Sequence, residues 1–202
     1  MKLKVMAAAA LLVAASATSV MAAQAGPYVG VNAGLAIMHE SDLDDGFGTT
    51  ANLTFDPGFA VGGVLGYEFA TGPRLEAEIA YRKCDTDKLS APGIPSAKVD
   101  GDVSVTSYMI NAYYDFSKEA SVSPFVGVGL GILDGKLSDG LEDASDTTFG
   151  YQAMVGVTVK AAPNVNLDLS YRYQGAASDF SVDGVDMSYG SSNILAGVRV
   201  KF

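Results

Sequence analysis

The chain has 202 residues, with one cysteine, one histidine, no tryptophan and 23 glycines, and its 13 basic and 23 acidic residues give a formal charge of −10. That acidity excludes a phosphate-binding nucleic-acid partner, and one cysteine excludes a disulfide framework. An apolar content of 49% excludes a disordered chain, and no Cys/His spacing predicts a metal or other cofactor.

Residues 1–25 read as a secretory leader. Lys2 and Lys4 form a basic start, residues 5–15 an apolar run, and Val20-Met21-Ala22 and Ala23-Gln24-Ala25 two small-x-small cleavage sites. The second site is preferred and leaves a new N-terminus at Gly26. A retained anchor over 5–23 is the alternative, disfavoured by its alanine, serine and threonine content. Removing two lysines and no acid leaves residues 26–202 with 11 bases against 23 acids, a charge of −12. No later run reaches the roughly 18 apolar residues of a transmembrane helix.

Eight segments then alternate apolar and polar with period two, the pattern of strands. Segment 27–38 sets Val29, Val31, Ala33, Leu35 and Ile37 against Gly30, Asn32, Gly34 and Ala36. Segment 58–69 sets Phe59, Val61, Leu65, Tyr67 and Phe69 against Gly62, Gly66 and Glu68. Next, Leu75, Ala77, Ile79 and Tyr81 oppose Glu76, Glu78 and Arg82, and Tyr108, Ile110, Ala112, Tyr114 and Phe116 oppose Asn111, Tyr113 and Asp115. Segment 124–133 alternates valine, leucine and isoleucine with Gly127, Gly129 and Gly131, and 149–160 sets Phe149, Tyr151, Ala153 and three valines against Gln152, Gly156, Thr158 and Lys160. Segment 165–173 sets Tyr171 and Tyr173, with Val165, Leu167 and Leu169, against Asp168 and Arg172. The last sets Ile194, Ala196, Val198, Val200 and Phe202 against Asn193, Gly197, Arg199 and Lys201.

Long connections at 39–57, 83–102, 134–148 and 174–187 alternate with short ones at 70–74, 117–123 and 161–164. That alternation predicts an all-β, eight-stranded antiparallel up-and-down barrel with one tight rim and one extended rim. A Greek-key sandwich has no reason to keep it. With the N-terminus periplasmic, Tyr67, Phe69, Tyr114, Phe116 and Phe202 fall at the lower membrane edge. Phe59, Tyr81, Tyr108, Phe149, Tyr151, Tyr171 and Tyr173 fall towards the upper edge. Two aromatic belts flanking small aliphatics predict a bilayer-spanning barrel. A soluble, lipocalin-type barrel with the apolar faces inside leaves the belts unexplained.

On these segments the sequence resembles the eight-stranded outer-membrane β-barrel family of Gram-negative bacteria, which includes OmpA-like and opacity-type surface proteins. The resemblance rests on GPYVGVNAGL (26–35), INAYYDF (110–116), PFVGVGLG (124–131), FGYQAMVGV (149–157), LDLSYRY (167–173) and NILAGVRVKF (193–202). It implies export by a cleaved leader and insertion in the outer membrane as a monomeric barrel among lipid and lipopolysaccharide. It also implies that Val198, Val200 and Phe202 look like the signal read by the outer-membrane assembly machinery. The sequence stops at its last strand, so the resemblance implies the barrel domain without a cell-wall-binding domain.

The inward face is expected to carry a charge network of Glu68, Glu76, Glu78, Asp115 and Asp168 with Arg82, Arg172 and Arg199, joined by Lys160 and Lys201 near the lower rim. Eight strands leave an interior that side chains can fill, so a wide pore is not expected. Unpaired buried charges are costly, so Glu76 or Glu78 is expected to meet Arg82, Arg172 or Arg199 across the lumen. Gly127, Gly129 and Gly131 lack phosphate-loop spacing and a following helix. His39 and Ser41 have the residue types of a base–nucleophile pair for lipid deacylation, but read more simply as surface residues. Asp42, Asp44 and Asp45, and Asp139, Glu142, Asp143 and Asp146, form acidic clusters that read as a solvated crown or a loose divalent-cation site. Cys84 reads as a free thiol or a packed small residue. The expected function is that of a non-enzymatic structural and surface protein whose loops meet a host or surface ligand. The alternatives are a narrow passive channel or, further off, a lipid-modifying enzyme.

Overall fold

Strand pairing in this chain closes on itself. The computed structural model describes residues 25–39, 41–44, 50–91, 94–98, 101–138, 143–178, 180–182 and 185–202. The leader read at 1–25 lies outside them except for its last residue, as do Asp45, Asp139 and Glu142. The strands are β1 (Gly26–Met38), β2 (Ser41–Asp44), β3 (Thr50–Phe55), β4 (Gly58–Glu68), β5 (Pro73–Ala91), β6 (Ile94–Lys98) and β7 (Asp102–Asp115). They continue as β8 (Val122–Ser138), β9 (Asp143–Ala162), β10 (Val165–Ala176), β11 (Phe180–Val182), β12 (Val185–Met187) and β13 (Gly190–Lys201).

Eight of these form the barrel. The antiparallel ladder runs β1–β4–β5–β7–β8–β9–β10–β13, and β13 pairs back onto β1 through Val31↔Val198 and Ile37↔Ser192. Closure matters because a free strand edge in hydrocarbon would leave backbone N–H and C=O groups without partners.

The alternation decides which face meets what. Leu35, Ile110 and Val128 on the outer face are 57%, 64% and 64% exposed, while Arg74 and Arg82 inside are 2% and 0% exposed. An apolar exterior around a charged interior is the inverse of a soluble barrel, so the lipocalin-type arrangement is excluded.

The long connections differ from the open coil that their composition suggests. Strands β2, β3, β6, β11 and β12 lie within or beyond them and pair as β11–β12–β2–β3–β5, with β6 on β5. The β8–β9 ladder likewise runs past Ile132↔Phe149 to Ser138↔Asp143. Beyond the bilayer both faces of a strand meet water, so period-two apolarity disappears although backbone pairing continues. The sequence signal marks the lipid band and not the whole strand.

Candidate functional site: the lumen and the rims

The interior is a stack of paired charges. At the short-turn rim, Glu68 lies 2.8 Å from Lys118 Nζ, 3.0 Å from Lys201 Nζ and 3.8 Å from Arg199 Nη1. Arg199 also binds Asp168 through Nε and, at 2.9 Å, through Nη2, and Thr158 donates to the same carboxylate at 2.6 Å. Deeper in, Arg74 Nη1 sits 2.9 Å from Glu76 and its Nε 2.7 Å from Asp115. The Tyr28 hydroxyl donates to Glu76 at 2.6 Å. The Arg74 guanidinium lies over the rings of Tyr113 and Phe125, at 4.4 and 5.1 Å from their centroids. Cation–π contact and paired carboxylates together offset the desolvation of a buried guanidinium.

In the middle of the barrel Arg172 pairs with Glu78, whose other oxygen accepts from Asn111 at 2.9 Å. An amide chain continues through Gln152 and Gln174 to the Tyr189 hydroxyl at the extended rim. Burial pushes the Tyr189 phenol above its ordinary pKa. Above the charges, Ala36, Met38, Ala60, Cys84, Val103, Val105 and Leu133 form an apolar layer across the lumen. Between the charged layers lies a cavity of about 40 Å³, lined by Arg74, Arg172, Arg199 and Asn32 among others. Arg74 Nη2, Arg172 Nε, Arg199 Nη1 and Asn32 Oδ1 have no hydrogen-bond partner among the described residues. A cavity of that size and polarity has room for a few waters.

Several expectations change. Arg82 meets no acid among the described residues: it donates to Asn193 Oδ1 at 3.2 Å and Ser107 Oγ at 2.9 Å instead. Its register partners Ala60 and Val105 belong to the apolar layer, which places the guanidinium between that layer and the amides. Lys160 is exposed at the short-turn rim, its ammonium donating to the Lys118 carbonyl. Of the two acids expected to reach an arginine across the lumen, Glu78 meets Arg172, while Glu76 pairs with Arg74 two residues away on its own strand. Arg74, Tyr28 and Lys118 are lumen or rim residues that the sequence reading passed over. Arg74 and Lys118 fall in the short connections 70–74 and 117–123, although Arg74 has the parity of Glu76 and Tyr28 that of Asn32.

Small residues make room for this stack. A Cβ on Gly127 would stand 2.3 Å from the Tyr113 ring, and one on Gly66 2.3 Å from the Tyr28 ring. Of the glycines that suggest a nucleotide loop, Gly127 is a floor for the Tyr113 ring, Gly129 makes room for the Asn111 and Gln152 side chains, and Gly131 lies against the backbone at Tyr108 and Met109.

On the outer face, Tyr67 packs on Phe69 at 5.0 Å and Tyr114 on Phe116 at 5.1 Å near the short turns. Phe59, Tyr81, Tyr108, Phe149, Tyr151 and Tyr171 are exposed nearer the other rim, with Tyr173 half-buried. Val198 and Phe202 are exposed and Val200 is half-buried, and the Phe202 N–H donates to the Pro27 carbonyl at 3.1 Å. His39 Nε2 lies 2.9 Å from Ser192 Oγ. The Ser41 side chain, like those of Asp42, Asp44 and Asp143, lies outside the described residues. Among the described residues no carboxylate pairs with the His39 imidazole, and no group of acids, histidines and cysteines could hold a metal ion. Cys84 is buried, its thiol facing the Ala36 carbonyl at 3.6 Å.

Comparison with known proteins agrees with this architecture. Outer membrane protein PagN of Salmonella typhimurium is 28% identical over 194 residues, covering 82% of this chain and 80% of that protein. The structure of Neisserial surface protein A superposes with a TM-score of 0.58 at 27% identity, covering 88% of this chain and 99% of the other. OprG of Pseudomonas aeruginosa shares the fold at a TM-score of 0.65 and 17% identity, over 91% of this chain and 100% of its own. The family model for the outer membrane protein β-barrel domain matches residues 6–202. With a charged, filled interior inside a lipid-facing exterior, this chain belongs to the outer membrane protein β-barrel family and resides in the outer membrane.

Proposed function

We propose that the protein is a surface-display barrel, in which a closed scaffold carries extracellular β-structure that contacts ligands or cells outside. Short periplasmic turns are the rule in outer-membrane barrels, so the rim bearing β2, β3, β6, β11 and β12 faces outwards. The observation that carries the reading is the interior itself. Paired charges at one end and an apolar layer at the other flank a cavity of about 40 Å³. A lumen filled that way supports the scaffold role more than passage, and places recognition on the projecting strands. The name of Neisserial surface protein A, a structural relative, is in keeping with a surface role.

The test is attachment by cells that display the protein. Cells carrying the full chain are expected to bind host cells or matrix above cells with an empty outer membrane. A version with the four distal connections trimmed to the barrel rim is expected to bind no better than the empty control, while still showing heat-modifiable migration. Equal attachment by the trimmed barrel, or none by the full chain, would sink the reading.

A further inference from the structure

The cavity inside the barrel is walled by more positive charge than its carboxylates answer. Arg74, Arg172 and Arg199 line it against Glu76 and Asp168. Each guanidinium is 4% exposed or less, and Arg74 Nη2, Arg172 Nε and Arg199 Nη1 have no hydrogen-bond partner among the described residues. Both carboxylates are already engaged: Glu76 accepts from Tyr28 and Arg74, and Asp168 from Thr158 and Arg199. The imbalance extends along the lumen. Its acids, from Glu68 at the rim to Glu78 in the middle, pair with Arg74, Arg172, Arg199, Lys118 and Lys201, five cations for five acids. Arg82 stands outside that balance, with the neutral Asn193 and Ser107 as its partners.

We propose that this cavity is a binding site for a small monovalent anion of the halide class, such as chloride. A guanidinium N–H only donates, so three of them around one space call for an occupant that accepts from several directions. A water accepts two bonds and must also place two protons, whereas a halide accepts from every side and has none. Asn32 Oδ1, the unpartnered acceptor in the wall, suits one companion water that donates to it. About 40 Å³ holds one such ion with that water and is too small for an organic anion. A single negative charge also balances Arg82, and a buried charge without a counter-charge is costly. Entry is from the short-turn rim. Glu68, 3.8 Å from Arg199 Nη1, there lines a second cavity of about 240 Å³ with Lys118, Lys160 and Lys201, whose charge draws anions towards the lumen. The site involves none of the distal strands.

Two measurements on the refolded full chain test this. In crystals grown with bromide in place of chloride, anomalous scattering is expected to show one bromide among Arg74, Arg172 and Arg199. In urea unfolding from lipid vesicles at constant ionic strength, replacing gluconate by chloride is expected to stabilise the barrel. The unfolding constant should fall about tenfold for each tenfold rise in chloride above the dissociation constant. Asn32→Asp sets a carboxylate against the cavity and is expected to reduce that response to less than about twofold, with heat-modifiable migration confirming the fold. If that variant does not migrate as a barrel, the bromide map of the unaltered chain decides. No bromide in the cavity, equal stability in gluconate and chloride, or an unchanged chloride response in Asn32→Asp would overturn the proposal. Bromide bound at the rim lysines alone would overturn it too, by assigning the anion to the outer cavity.

Discussion

Arg74 provides the sharpest test of how the interior is held together. Its Nε is the partner of Asp115 Oδ2 at 2.7 Å, and Asp115 Oδ1 has no hydrogen-bond partner among the described residues. Arg74→Ala therefore strands a buried carboxylate, a change that typically costs about 3–5 kcal/mol. The lower end applies here, about 3 kcal/mol, for two reasons. Glu76 keeps its bond from the Tyr28 hydroxyl, and the adjacent cavity lets water reach the vacated space. Adding Asp115→Asn to Arg74→Ala removes the stranded charge, so the double variant should be more stable than the sum of the singles by at least about 1 kcal/mol. Urea unfolding of barrels refolded into lipid vesicles, followed by gel mobility and circular dichroism, measures each corner of the cycle. A loss below about 1 kcal/mol for Arg74→Ala, or strict additivity, would refute the account of a buried network organised by this guanidinium.

Arg82 should behave differently. Because it lacks an acid partner, Arg82→Met is expected to cost less than about 1.5 kcal/mol and clearly less than Arg74→Met; the reverse order of unfolding midpoints would contradict the assignment. Gly127→Ala should destabilise the barrel by about 1–3 kcal/mol by pressing on the Tyr113 ring, and Tyr113→Leu in the same chain should relieve part of the loss. Planar bilayers containing demonstrably inserted residues 26–202 should pass no steady current, and reproducible single-channel steps would reassign the protein as a small pore. Phe202→Ser should lower the assembled fraction in cells while costing refolded protein no more than about 1–2 kcal/mol of lipid-facing contact, and equal assembly would remove Phe202 from the assembly signal.

Much of this protein was legible from its residues. The period-two pattern identified the eight barrel strands and both faces, because a strand in a bilayer must present apolar atoms to lipid at every second position and nowhere else. Parity alone placed Glu78, Arg172 and Arg199 inside and Leu35, Tyr108 and Phe149 outside. Pairing within the lumen was not legible in the same way. Which charges meet depends on the stagger between strands, which brings Arg74 under Asp115 and leaves Arg82 beside Asn193, two partners far apart in sequence. The distal β-structure was hidden for a related reason: outside the bilayer its backbone bonds carry the pairing, and backbone bonds leave no side-chain signature. The contact of His39 with Ser192, 153 positions along the chain, exists only because the last strand closes on the first. Alternation and composition determined that the chain is a membrane barrel, and the register and closure of that barrel decided which side chains share a site.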